Sequence, residues 1–242
     1  MKSGYEQEFV FRTRSLGYSS ATRGNVQRMG RTIRGLDAEQ RRAERREQLL
    51  DAALKLFAAN GYINTSIEQI CSTAYIGTKS FYEVFTNRED CYVALLQRTS
   101  ERLQEQVAGL AAQAVGNERE VAPKLIQVFA HALLDDPRVA RVTFGMAAGI
   151  SPLVERQRRT NRRWAAGFLE QLWDRYDGPP RGRDAADQRA VRHSVAIGLV
   201  GGLFDLISDW FLDADPTKPD QIETLIDDMT TYYIVVRRGL LT

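Results

Sequence analysis

The sequence predicts an all-α protein, with short helices over residues 65–90 and longer ones on either side. Two observations carry this. Apolar residues recur at i, i+3, i+4 and i+7 along the chain beyond residue 37, the spacing of one helix face. The breaks between these stripes hold helix punctuation: Asp, Asn or Ser at the start, Pro just inside it, Gly at the end.

Residues 1–36 lack an apolar period and read as a disordered basic extension, with seven basic residues against two acidic ones, or +5. Three meanings compete: an arm lying on phosphates or in a minor groove, a solvated leader, or a reading frame whose true start is Met29. Asp37 to Asn60 is a predicted helix, capped by Asp37 and ended by Gly61, with Leu49, Leu50, Ala53, Leu56 and Phe57 inward. Arg41, Arg42, Arg45 and Arg46 crowd its first half among glutamates, the usual composition of a solvated face.

The most informative stretch is Thr65 to Asp90. Thr65 and Glu68 stand at capping-box spacing, and Ile67, Ile70, Cys71 and Ala74 form one stripe. Gly77 then caps a second short helix, in which Phe81, Val84 and Phe85 point inward. Thr78, Lys79, Tyr82 and Glu83 are left outward. Asn87 and Asp90 open a third helix. Two helices joined by a turn, the second with a polar face, suit a helix-turn-helix entering a major groove about 12 Å wide. Plain core helices of an all-α domain fit the same spacing.

Arg88 to about Val115 is a long helix. The next is marked by Val121, Leu125, Val128 and Phe129, and Pro123 should delay or bend it. Asp136-Pro137 opens a short helix ending near Gly149; Ser151-Pro152 opens a long one to about Tyr176, with five arginines on an expected solvated face. Residues 177–183 form a loop. Helices over 185–212 and about 219–239 close the chain.

Composition narrows the functional classes. No run of 18 apolar residues and no leader pattern is evident, so a cytoplasmic protein without a membrane span is expected. Cys71 and Cys91 make neither a disulfide framework nor a metal cluster. His131 and His193 have no metal-type partners nearby in sequence, and no catalytic or phosphate-loop motif occurs. No enzyme, metal or cofactor is expected.

The run Leu49 to Asp90 resembles the DNA-binding domain of the TetR family of transcriptional regulators. The resemblance rests on Gly61-Tyr62 ending one helix, Thr65 opening the next, Phe81-Tyr82 with Phe85, and a basic residue, Arg88, opening helix four. It departs at Tyr75, where the turn usually has Gly, and at Gly77 to Ser80, where Ser-Lys-Gly-Thr is usual.

The resemblance implies three regions: the extension 1–36, a helix-turn-helix domain over 37–90, and an effector-binding and dimerisation domain over 91–242. It implies a homodimer on palindromic double-stranded operator DNA, more often repressing than activating, released by an unidentified small molecule. Implied DNA contacts are Arg45, Arg46, Thr65, Thr78, Lys79, Ser80, Tyr82, Glu83 and Arg88. Lys79 and Thr78 would read bases; Tyr82, Thr65 and Arg88 would hold phosphates. Pocket candidates are Phe129, His131, Phe144, Met146, Asn161, Trp164, Phe168, His193 and Phe204. The last two helices would pair with their twofold copies through Val195, Gly198, Leu199, Gly202, Leu206, Ile222, Leu225, Met229 and Tyr233. The rival is a helical small-molecule-binding or interaction protein of the same fold without DNA binding.

Overall fold

A computed structural model describes residues 29–145, 149–215 and 218–241. These residues are helical, without a strand among them: α1 (Met29–Asn60), α2 (Ile67–Ala74), α3 (Thr78–Tyr82), α4 (Arg88–Gln113), α5 (Glu118–Leu134), α6 (Pro137–Ala140), α7 (Pro152–Asp177), α8 (Ala185–Asp213) and α9 (Pro219–Leu241). One π-helical turn, Arg141–Gly145, continues α6.

Most boundaries follow the punctuation. Gly61 ends α1 with φ 83°, its N–H donating to the Phe57 carbonyl. Asn87 caps α4 by accepting from the Asp90 N–H, and Ser151 caps α7 with Pro152 at the first position. Four expectations are corrected. The helix α1 begins at Met29 rather than Asp37, and Asp37 pairs with Arg41 at 2.8 Å instead of capping. Once a helix is nucleated each added residue costs little, so it runs back past Asp37. Of the expected extension, residues 1–28 lie outside the described residues, while 29–36 are helix.

The capping box of α2 is Ser66 with Gln69, one residue beyond the expected pair. Both boxes are sequence-compatible, and the one that forms leaves Thr65 free to turn inward. Pro123 lies inside α5 without delaying it, because an Asn117–Glu120 capping box fixes the start. The predicted short helix to Gly149 is α6 plus the π turn.

Two cores meet along α4. The first joins Leu49, Leu50, Phe57, Ile70, Phe81 and Tyr92, and borrows Val142 and Val154 from beyond α5. The second starts at Leu103 and gathers α5, α7, α8 and α9. Of the described helices α8 is long and apolar enough to cross a membrane, with mean hydropathy 1.7 over an 18-residue window, longer than its charge-free run over residues 195–204, which by itself is too short to span one. It packs between α7 and α9.

Candidate nucleic-acid interface and effector cavity

The turn between α2 and α3 is a Schellman motif. The Ile76 N–H donates to the Cys71 carbonyl at 2.9 Å, and the Tyr75 N–H to Ser72 at 3.3 Å. This puts Tyr75 in the left-handed region, φ 56° and ψ 37°, where glycine is usual. Its ring stands 97% exposed at the mouth of the turn. From there α3 starts at Gly77 and drives Phe81 into the core, where its ring meets Phe85 at 5.5 Å.

With Phe81 anchored, Thr78, Lys79 and Tyr82 project outward; Tyr82 is 55% exposed and Ser80 half-buried. Among the described residues no carboxylate pairs with Lys79. Glu83 is also outward but takes the Arg45 guanidinium at 2.9 Å, tying α1 to the end of α3. Arg46 lies half-buried over the Phe85 ring at 6.0 Å and pairs with Glu47.

Two implied phosphate holders do other work. Thr65 is fully buried, and its hydroxyl donates to the Gly61 carbonyl at 2.8 Å, satisfying an orphan acceptor at the end of α1. Arg88 donates to the carbonyls of Ile63 and Thr65 at 3.2 and 2.6 Å and lies over the Tyr62 ring at 4.4 Å. It braces the loop between α1 and α2.

Two cavities adjoin in the second core. One, about 60 Å³, is apolar, with Leu125, Ile126, Phe168, Leu172 and Leu203 in its walls. The other, about 40 Å³, adds polar groups: Thr99, Ser100, Thr143, Arg158, Asn161 and Arg162. Phe129, Trp164 and Ala165 belong to both. Of the pocket candidates, Phe129, Asn161, Trp164, Phe168 and Phe204 are lining residues, and Phe144 packs on Phe204 at 5.7 Å.

His131 instead faces an outer groove, against Asp135 at 2.8 Å and Glu223 at 3.5 Å. His193 pairs with Glu170 on the surface, its side chain 63% exposed. Neither lines the paired cavities. Met146 lies outside the described residues. Arg158 and Arg162 were missed because arginine-rich runs read as solvated. The signal was spacing: Val154, Arg158, Ala165, Phe168 and Leu172 follow one face of α7.

The expected pairing surface also turns out differently. Leu199, Ile222, Leu225, Met229 and Tyr233 are buried inside the same chain, since α9 lays this stripe on α5 and α8. Gly202 is closed by the Tyr232 ring, and the Tyr232 hydroxyl donates to the Gly198 carbonyl at 3.4 Å. Val195 and Leu206 are partly buried against the same core, and Gly198 alone of the nine is exposed. The open large apolar residues of α8 and α9 are Val191, Ile197, Leu212, Ile234 and Val235.

The sequence profile of bacterial regulatory proteins of the TetR family matches residues 49–95, the segment that builds the first core. The chain belongs to the TetR family. It is a DNA-binding transcriptional regulator. The transcriptional regulator HbdR of Aromatoleum sp. (strain CIB) is 33% identical over 64 residues; the match spans 26% of this chain and 28% of that protein. The transcriptional activator FasR of Mycolicibacterium smegmatis is 24% identical over 181 residues, 74% of this chain and 78% of that one. The fold is shared with a TetR-family regulator from Mesorhizobium loti, at TM-score 0.60 and 16% identity, over 81% of this chain and 96% of that one.

In this TetR-family chain the π turn touches both cores. Arg141 donates to the Ala58 carbonyl of α1 at 3.2 Å, and the buried Tyr92 hydroxyl of α4 donates to the Val142 carbonyl at 2.8 Å. On its other side Thr143 lines the polar cavity and Phe144 meets Phe204. Single π turns often mark functional positions. The cysteines take no part: burial pushes the Cys91 thiol up to about 12 and raises that of Cys71, so neither is a ready thiolate.

Proposed function

We propose that this protein is a homodimeric repressor that binds a near-palindromic operator and is released by a small-molecule effector. The observation that carries the reading is α3, whose Phe81 is locked inside while Thr78, Lys79 and Tyr82 are exposed to solvent. Lys79 and Thr78 read base edges, and Tyr82 touches phosphate. Residues 37–90 supply this surface, and residues 91–242 hold the effector and the partner.

A two-fold pairing through Val191, Ile197, Ile234 and Val235 would present two α3 helices to successive half-sites, one helical turn or more apart. The cavity supports an effector, and the π turn gives it a route to α1 and α4. An effector favouring the arrangement that misaligns the two helices shifts the population off DNA.

The test is anisotropy titration of the full chain on labelled DNA flanking its own gene, beside sedimentation equilibrium. Saturable binding that survives excess unrelated DNA, by a dimer, supports the reading. A monomer at micromolar concentration overturns the dimer. Lower transcription of the flanking genes on deleting this one overturns the repressor assignment in favour of an activator.

A further inference from the structure

The paired cavities are chemically lopsided. The apolar chamber offers aliphatic and aromatic carbon almost throughout. The chamber beside it is bordered by Arg158 and Arg162 and by Thr99, Ser100 and Thr143. Charges around this end do not balance. Glu155 is already shared by Arg158 at 3.2 Å and Arg159 at 3.0 Å. Among the described residues Arg162 forms no ion pair. Its guanidinium lies over the Phe204 ring at 5.1 Å, next to Arg158, with the exposed Asp205 of α8 as its remaining acidic neighbour.

A half-buried cation without a salt bridge is costly unless something compensates it. Burial, and then the neighbouring Arg158 charge, depress the Arg162 pKa below the ordinary arginine value. Both penalties would be relieved by an anion in the chamber. A planar guanidinium fork matches a carboxylate through two parallel hydrogen bonds.

The geometry points to a small amphipathic carboxylate as the effector, with its head group on Arg162 and Arg158 and its hydrocarbon body passing Trp164 into the apolar chamber. This rests on the effector reading given above and adds the ligand's class. Size limits it further. At about 10–15 Å³ per water-sized group, chambers of about 60 and 40 Å³ hold on the order of eight such groups. A medium-chain acid is therefore the first probe.

The test is calorimetric titration of the full chain with octanoate, octan-1-ol, octylamine and octanoyl-coenzyme A, with operator binding measured on the same samples. Octanoate should bind at least about tenfold tighter than octan-1-ol, and octylamine weakest. Arg162→Gln should bring octanoate down to the affinity of the alcohol; Arg162→Met, which keeps the apolar stem, serves if the first variant does not fold.

If octanoyl-coenzyme A alone binds, or the alcohol matches the acid, the free-carboxylate assignment is overturned. If octanoate does not bind, the proposal is overturned whatever the operator does. If octanoate binds and operator affinity is unmoved, the site stands and the effector-release reading fails.

Discussion

The two cores of this chain are built differently, and the difference follows their tasks. The first is a closed aromatic cluster: Phe57, Tyr62 and Tyr92 meet at 5.0–5.8 Å, and Leu49, Leu50, Phe57, Ile70, Phe81 and Tyr92 are fully buried. The second contains the adjoining cavities and a buried charge cluster. There Arg237, 4% exposed, donates to Glu118 at 2.7 and 3.0 Å and also pairs with Asp177, while Tyr233 bonds Glu118 and Trp173. A dense core holds a surface in one shape. A core with voids and fixed charges leaves room for something to be added.

The contrast breaks most sharply at Phe57. Phe57→Ala should cost about 3–5 kcal/mol, because its packed neighbours cannot collapse into the space. Leu125→Ala, at the wall of an existing cavity, should cost about 2 kcal/mol, the low end of the range for such changes. Urea unfolding of both variants checks this, and equal losses would erase the distinction between the cores.

Next in size is the charge cluster. Arg237→Met should destabilise by about 2–3 kcal/mol, less than the ~3–5 seen on breaking a fully buried pair, because Glu118 and Asp177 keep some access to water. Arg45→Met, which breaks the more exposed pair with Glu83, should cost at most about 1 kcal/mol. Unfolding midpoints of the two variants compare a structural charge with a surface one. An Arg237 variant as stable as the parent would mean that Met repacks over Trp173 as well as the guanidinium does.

The third prediction concerns binding. Lys79→Ala should leave stability unchanged and lose about 1–3 kcal/mol of discrimination at one or two base pairs. Tyr82→Phe should weaken binding to all sequences alike. Anisotropy on a set of single-base operator variants separates them. A uniform loss for Lys79→Ala would move that residue to the phosphates.

Much of this was readable beforehand, for identifiable reasons. The inward and outward faces of α3 follow from helical period alone, so Phe81 and Lys79 could be placed from sequence. Caps were nearly as legible, except where two compatible residues adjoin, as Thr65 and Ser66 do, or where the helix runs on past the expected cap, as at Asp37. What period cannot say is which neighbour a buried stripe faces. Leu225 and Met229 would be equally apolar against a second copy or against α5, and within the chain α9 packs on α5 and α8. Polarity misled in the other direction at Arg162, because an arginine that closes a cavity carries the same letter as one in solvent. Arg88 shows a third limit: its backbone partners, Ile63 and Thr65, lie more than 20 residues back in sequence.

The smallest expected effect bears on the turn. Tyr75 holds a left-handed backbone that disfavours any side chain by roughly 1–2 kcal/mol. Its ring is almost wholly exposed, so removing it forfeits little packing. Tyr75→Gly should therefore stabilise the first domain, by about 0.5–1 kcal/mol once the extra freedom of glycine in the unfolded chain is subtracted. Tyr75→Ala removes the same ring but keeps the backbone penalty, and should leave stability level. Thermal unfolding of the pair isolates the backbone from the side chain. If alanine stabilised as much as glycine, the ring rather than the φ angle would be the source of strain, and an exposed aromatic beside the recognition helix would be tolerated for what it touches on DNA.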